Sequence, residues 1–249
     1  MKRIFYSFIF LALSLSSSSQ SLTATEAITK AEDKVRGSSN RAEIRMTIVR
    51  PSWSREMTMK SWAKGDELAL ILVIAPARDN GIAYLKRSKE LWNWQPSIDR
   101  IIKLPPSMML QSWMGSDFTN DDLVKESSSV KDYTHAFGND SIIDGRECYK
   151  IILTPKPDAP VVWGQIYSWI SKKDFLQMRV EFYDEDGELA NTMFGTNIKE
   201  IGGRLLAARV EMTPAGKEGH KTIVEYLSLN FDEPIGDDFF TEQNMKRIK

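Results

Sequence analysis

From Glu43 onward the chain is a succession of short runs separated by close turns, and this restricts it to a sheet protein. "EIRMTIVR" sets Ile44, Met46 and Ile48 against charged or polar neighbours, and "REMTMKSW" does the same with Met57 and Met59. The continuous "LALILVI" reads as a strand buried on both faces. Runs of the same kind follow at "GIAYLKR", "LWNWQ", "IDRIIKL", "CYKIILT", "GQIYSWI", "LQMRVEFYD", "TMFGTNIKE", "RLLAARVEM" and "KTIVEYLSLNF", with hairpin signals such as Asp186-Gly187 and Gly202-Gly203 between them. About a dozen such strands imply a large antiparallel sheet that must curl, split or close. The chain has 249 residues, 42% apolar and 27% charged, enough to bury a substantial core, and no fixed repeat or linker composition divides it.

What precedes the strands is different. Lys2 and Arg3 lead into an apolar run from Ile4 to Leu15, followed by a Ser-rich stretch ending Ser19-Gln20-Ser21. Charge, short apolar run and small residues in that order predict a cleavable secretory signal over residues 1–21, leaving 22–249 as a single domain released rather than anchored. That domain opens with a helix. Thr23 and Glu26 have the spacing of a reciprocal cap, Ile28, Ala31 and Val35 fall on one face, and Gly37 can end it. Cys148 is the only cysteine, so no internal disulfide forms, and its place in "RECYKIILTP" makes it a small buried hydrophobe or, less in keeping with the pattern, a reactive thiol. A formal net charge of −1 offers no field for a phosphate backbone, which argues against a nucleic-acid partner.

One stretch breaks the β pattern. "LWNWQPSIDRIIKLPPSMMLQSWMGSDFTNDDLV", residues 91–124, holds three of the seven Trp and three of the eleven Met together with Pro105-Pro106. Thr119 followed by Asn120, Asp121 and Asp122 places a capping side chain and two carboxylates at the positive end of a short helix through Leu123 and Val124. A curled sheet has a concave face that needs cover, and a Met-rich loop and helix can repack over it, because Met has three rotatable bonds. Periodicity alone is equally compatible with a helix packed permanently on one sheet face.

Catalytic signatures are absent. His135 and His220 fit no metal-ligand spacing, and there is no nucleophile elbow, phosphate loop or dinucleotide fingerprint. Asp121-Asp122 and Asp237-Asp238 read better as helix-end and turn residues than as acid and base. Neither a cofactor nor a metal is expected, and an enzyme is not, although residues converging only in space would escape this reading.

The segment 91–124, with Trp113-Met114-Gly115-Ser116-Asp117-Phe118 at its centre, resembles the signature of the outer membrane lipoprotein-sorting protein family within the LolA/LolB superfamily. "LWNWQP" after the turn at Asn80-Gly81 and "YKIILTPKP" extend the likeness, which runs from about Arg41 to the C-terminus. The resemblance implies a mainly β fold, a curved antiparallel sheet forming an incomplete half-barrel with helices over its concave face. It further implies a periplasmic protein whose helical lid opens to admit lipid or lipoprotein acyl chains. An inner-membrane ABC or RND-type exporter would be its partner, and membrane contact would be transient. On this reading residues 105–126 form the lid, Trp92 and Trp94 point toward it, and cargo contacts Trp62, Leu70, Leu72, Ile74, Trp92, Trp94, Met108, Met109, Trp113 and Phe118. In the family's carrier an Arg shortly after a strand Trp pins the lid, whereas "SWAKGDELAL" offers Lys64 and no Arg, so closure by that Arg does not carry over. The alternative implied by the same resemblance is an envelope-stress sensor or protein-interaction module.

Overall fold

The structure, a computed structural model, describes residues 21–109, 111–124, 128–157, 159 and 161–248. The expected signal segment lies outside the described residues apart from Ser21, as do Leu110, Lys125 and Glu126 of the expected lid. The chain opens with helix α1 (Ala24–Arg36) and continues through β1 (Ser39–Arg50), β2 (Trp53–Lys64), β3 (Leu68–Ala75), β4 (Ala83–Arg87), β5 (Glu90–Gln95) and β6 (Arg100–Lys103). A connection bearing short helices α2 (Asn120–Val124) and α3 (Ser128–Lys131) leads to β7 (Tyr133–Phe137), β8 (Ser141–Ile143) and β9 (Arg146–Pro155). Long hairpins follow in β10 (Gln165–Ser171), β11 (Gln177–Tyr183), β12 (Leu189–Ile201), β13 (Arg204–Pro214) and β14 (Lys221–Phe231), and the chain ends with α4 (Glu242–Met245).

All the strands join one curved antiparallel sheet in the order β6-β5-β4-β3-β2-β1-β14-β13-β12-β11-β10-β9-β7, with β8 beside β9. β6 and β7 stand at opposite ends of that order, so the barrel is incomplete. Directly opposed residues share a face, which allows the two surfaces to be traced across the register. On the concave side Met46 opposes Met57, Met59 opposes Val73 and Ile71 opposes Tyr84. The same side continues through Val180 with Met193 and through Leu153 with Ile166. On the convex side Trp62, Leu70, Leu85 and Trp92 form one cross-strand row, and Leu72, Ala83, Trp94 and Ile101 form the next.

Three bodies cover these apolar rows. α1 lays Ala24, Ala27, Ile28 and Ala31 on Ile151, Leu153, Ile166 and Val180 of the concave face. Its cap is the expected one: the Glu26 carboxylate accepts the Thr23 backbone N–H at 2.8 Å while the Thr23 hydroxyl accepts that of Glu26 at 3.2 Å. Val35, expected on the buried face, is instead 37% exposed. The last helical turn meets Arg204, whose guanidinium donates to the Asp33 and Lys34 carbonyls, so polar contacts replace apolar ones there. The connection after β6 covers the concave face of β1 to β4, and the segment after β14 covers the convex face of β3 to β5. The "LALILVI" run is therefore buried on both sides, as its continuous apolarity predicts.

Candidate functional site

The connection after β6 is a folded loop rather than a long helix. Pro106–Met108 and Trp113–Gly115 are single 3-10 turns, and a bridge joins Ser112 to Thr119. Backbone bonds from Trp113 to the Phe118 carbonyl (2.8 Å), Asn120 to that of Gln111 (2.9 Å) and Asp121 to that of Met109 (2.9 Å) hold the loop to itself. The turn at its tip requires left-handed backbone at Met114 (φ 54°) and Gly115 (φ 81°), and only glycine adopts this without cost. At its far end Thr119 and Asp122 cap α2 reciprocally, at 2.7 and 3.2 Å. Burial, opposed by the Thr119 bonds, pushes the Asp122 carboxyl up to about 6.

Trp113 is the loop's main apolar contact with the sheet, 4% exposed. It packs among Met46, Met57, Met59, Val73 and Tyr84, meeting the Tyr84 ring edge-on at 5.7 Å, with Met109 and Met114 alongside. Its indole N–H is buried without a well-formed hydrogen bond among the described residues, although the Tyr84 hydroxyl lies beside it. Burial raises that hydroxyl to about 12, so Tyr84 stays neutral.

Polar groups at the strand ends complete the attachment. Arg50, the last residue of β1, donates to the Asp117 carboxylate at 3.0 Å and to the Gly115 carbonyl at 2.9 Å. The Thr222 hydroxyl on β14 donates to the same carboxylate at 2.6 Å and accepts the Asp117 backbone N–H at 2.9 Å. The Arg50 and Asp117 side chains are 11% and 8% exposed, so this ion pair is largely shielded from screening. Lys64, not Arg, stands shortly after Trp62, and the guanidinium that bonds the loop is that of Arg50 at the end of β1.

The ten residues expected to contact cargo divide between the two faces. Met109 and Trp113 meet the concave face. Met108 and Phe118 are partly buried within the loop, where their carbonyls accept the Asn120 side-chain N–H and the Trp113 backbone N–H. Trp62, Leu70, Leu72, Ile74, Trp92 and Trp94 lie on the convex face beneath Ile235, Phe240 and Met245 of the C-terminal segment. Trp92 and Trp94 therefore do share a strand face, but they turn away from the loop. The residues between and before them, Asn93 and Leu91, point to the concave side instead. Alternation places Met46, Met57 and Met59 on strand faces without assigning them a role, the continuous "LALILVI" does not separate Ile71 and Val73 from their neighbours, and no local pattern marks Tyr84, Arg50 or Thr222.

His135 and Cys148 have structural partners. The His135 ring bonds the Thr25 hydroxyl at 3.0 Å and the Ser129 carbonyl at 2.8 Å, and burial lowers its pKa. Cys148 is fully buried, and its thiol is pushed up by desolvation. Among the described residues no three His, Cys, Asp or Glu side chains converge as a metal site, and no helix is long and apolar enough to cross a membrane. Two open hollows, of about 420 and 610 Å³, lie at the C-terminal segment and at the start of β2, outside the space between Trp113 and the sheet.

A curved, unclosed antiparallel sheet with a helix and a capped loop over its concave face is the LolA-type half-barrel. A DUF1329 family protein from Desulfovibrio piger superposes with a TM-score of 0.82 at 22% identity, covering 89% of this chain and 97% of its own. A domain described as an outer membrane lipoprotein-sorting protein from Vibrio parahaemolyticus gives 0.79 at 20% identity, covering 90% and 98%. A LolA superfamily protein from Nitrosomonas europaea gives 0.76 at 23%, covering 90% and 99%. The resemblance seen in residues 91–124 thus holds at the level of fold. Residues 65–247 match a family described as "Uncharacterized protein", and the chain belongs to that family. No curated protein matches it.

Proposed function

We propose that this protein binds lipid or lipoprotein acyl chains in the cell envelope, receiving them against the concave face when the Trp113 loop lifts. The observation that carries the reading is the combination at that face. An apolar patch of neighbouring pairs, Met46 with Met57, Met59 with Val73 and Ile71 with Tyr84, is covered by a loop whose largest apolar anchor is one Trp and whose tip is tied by one ion pair. Burial of a large aromatic contributes about 2–3 kcal/mol, an amount that an acyl chain burying its own methylenes at about 0.8 kcal/mol each can replace. Met side chains lining the row can repack around a flexible chain. The lipoprotein-sorting description of the Vibrio protein is consistent with this cargo class, and the signal-like N-terminus with export to the periplasm. An exporter in the inner membrane would be the donor, and the chain's own chemistry would be binding rather than catalysis.

The test is hydrogen exchange with and without a monoacyl probe, joined to mass spectrometry of lipid extracted from protein purified from its native envelope. Exchange in residues 111–124 should change on binding while β1, β2 and β14 barely respond, and an acyl lipid should co-purify. A loop that exchanges as slowly as those strands and ignores every acyl compound would make the Trp113 segment permanent core and end this reading.

A further inference from the structure

At the end of the sheet where Arg50 holds the loop, β2 overhangs its neighbour. The β1–β2 hairpin starts β2 at Trp53, but pairing of β2 with β3 begins only at Thr58 and Ala75. The gap between the overhang and the loop leaving β3 is a hollow of about 610 Å³ lined by Trp53, Ser54, Arg55, Glu56, Pro76 and Arg78. Its volume is in the range that holds small-molecule groups.

Strand alternation ties this hollow to the concave face. Trp53 and Arg55 point to the same side of β2 as Met57 and Met59. One strand face therefore runs from a half-exposed indole, past a guanidinium, to two fully buried thioethers in the Trp113 cluster. Arg50 extends over the Trp53 ring at 5.9 Å, so the hollow also adjoins the loop's attachment point.

Two guanidiniums face the hollow, with the Asp79 carboxylate between them. Arg55 and Arg78 both donate to one oxygen, Asp79 Oδ2, at 2.7 and 3.2 Å. Arg55 Nε is buried with no hydrogen-bond partner among the described residues. Glu56, the carboxylate that lines the hollow, forms an ion pair with Arg45 at 3.5 Å. Two forked guanidiniums thus share a single acceptor atom, and each fork matches phosphate oxygens better than a point charge would. An acyl chain alone would leave Arg55 Nε without an acceptor.

We propose that this hollow receives the phosphate-bearing headgroup of an amphiphile whose acyl chain runs along Met57 and Met59 under the Trp113 loop. The inference rests on the acyl-binding reading above and adds the headgroup class to it. Trp53, on the outer side of Arg55 from Met57, gives the headgroup an amphipathic wall at the solvent end of the hollow.

The experiment is calorimetric titration of the full chain, below micelle-forming concentrations, with palmitoyl-lysophosphatidylglycerol, monopalmitoylglycerol, palmitate and glycerol 3-phosphate. Lysophospholipid should bind about tenfold tighter than monoacylglycerol, and R78Q, at a side chain 68% exposed, should collapse that preference. R55Q should do the same. Equal affinity for the two acyl compounds, or a preference indifferent to R78Q, would overturn the headgroup site while leaving acyl binding intact. Palmitate binding tighter than lysophospholipid would overturn the phosphate assignment. Glycerol 3-phosphate binding as tightly as lysophospholipid would make the hollow a site for free phosphate esters, unconnected with cargo. If no acyl compound binds, the functional reading itself fails, and the headgroup proposal with it.

Discussion

Strand β3 carries a cover on each face, and the two are built differently. On the convex side the C-terminal segment buries Ile235, Phe240 and Met245 against Leu70, Leu72, Leu85 and Trp94, with Phe239 against Trp62 at 5.4 Å. On the concave side the loop buries Trp113, leaves Met109 and Met114 partly exposed, and relies at its tip on Arg50, Asp117 and Thr222. The first is attached by several interlocked buried side chains, the second by one buried ring with Leu104, Met109 and Met114 around it and by a polar tie. A cover of the first kind is core, because no single event releases it. One of the second kind can lift when a competing apolar chain replaces the ring and the ion pair parts.

The largest effect separating them should come from Phe240→Ala, which empties a fully buried site and should cost about 3–5 kcal/mol of global stability by urea unfolding. A loss under about 1 kcal/mol would mean that the convex cover is detachable too, and the contrast would be gone. Trp113→Ala should behave differently. Exchange protection across residues 111–124 should fall and acyl affinity should change, while the urea midpoint moves less than for Phe240→Ala. Equal shifts in the midpoint would place Trp113 in the core.

Asp117→Asn keeps the shape of the tie but removes its charge, and we expect opening of the loop to become easier by about 1–3 kcal/mol, read from exchange at Gly115 and Ser116. The strands should be unaffected, and slowed or unchanged loop exchange would show that the tie contributes nothing. The smallest effect concerns pH. Because the Asp122 carboxyl is raised to about 6 in the fold, the folded protein holds its proton above the pH at which the unfolded chain releases it. Its contribution is therefore complete below about pH 4 and is lost as pH rises through about 6. Loop protection should decline over that window, and Asp122→Asn should flatten the decline; a slope that survives the substitution would assign it to another group.

The strand faces, the α1 cap and the position of the covering loop were all legible in local pattern. Alternation of period two fixed which of Trp92, Asn93 and Trp94 share a side, and Thr23 with Glu26 fixed where the first helix starts. β7 and β8 escaped because "YTHAF" and "SII" are short and carry little alternation. The C-terminal cover escaped because residues 232–248 hold only one-turn helices, too short for periodicity to act on. The resemblance offers only Lys64 after Trp62, and the Arg50–Asp117 pair joins residues too far apart in sequence for a local motif to mark them.

The sequence by itself determined that this chain makes a large antiparallel sheet and that residues 105–124 do not join it, since both follow from spacing between near neighbours. It could not determine which side of each strand becomes concave, for alternation defines two faces and gives them no sign. Curvature of the whole sheet and the placing of three covers supplied that sign, turning Trp92 and Trp94 outward and Met57 and Met59 inward. The polar tie is likewise tertiary: Asp117 is 67 residues from Arg50 and 105 from Thr222, and only the pairing of β1 with β14 brings those two strand ends to one carboxylate.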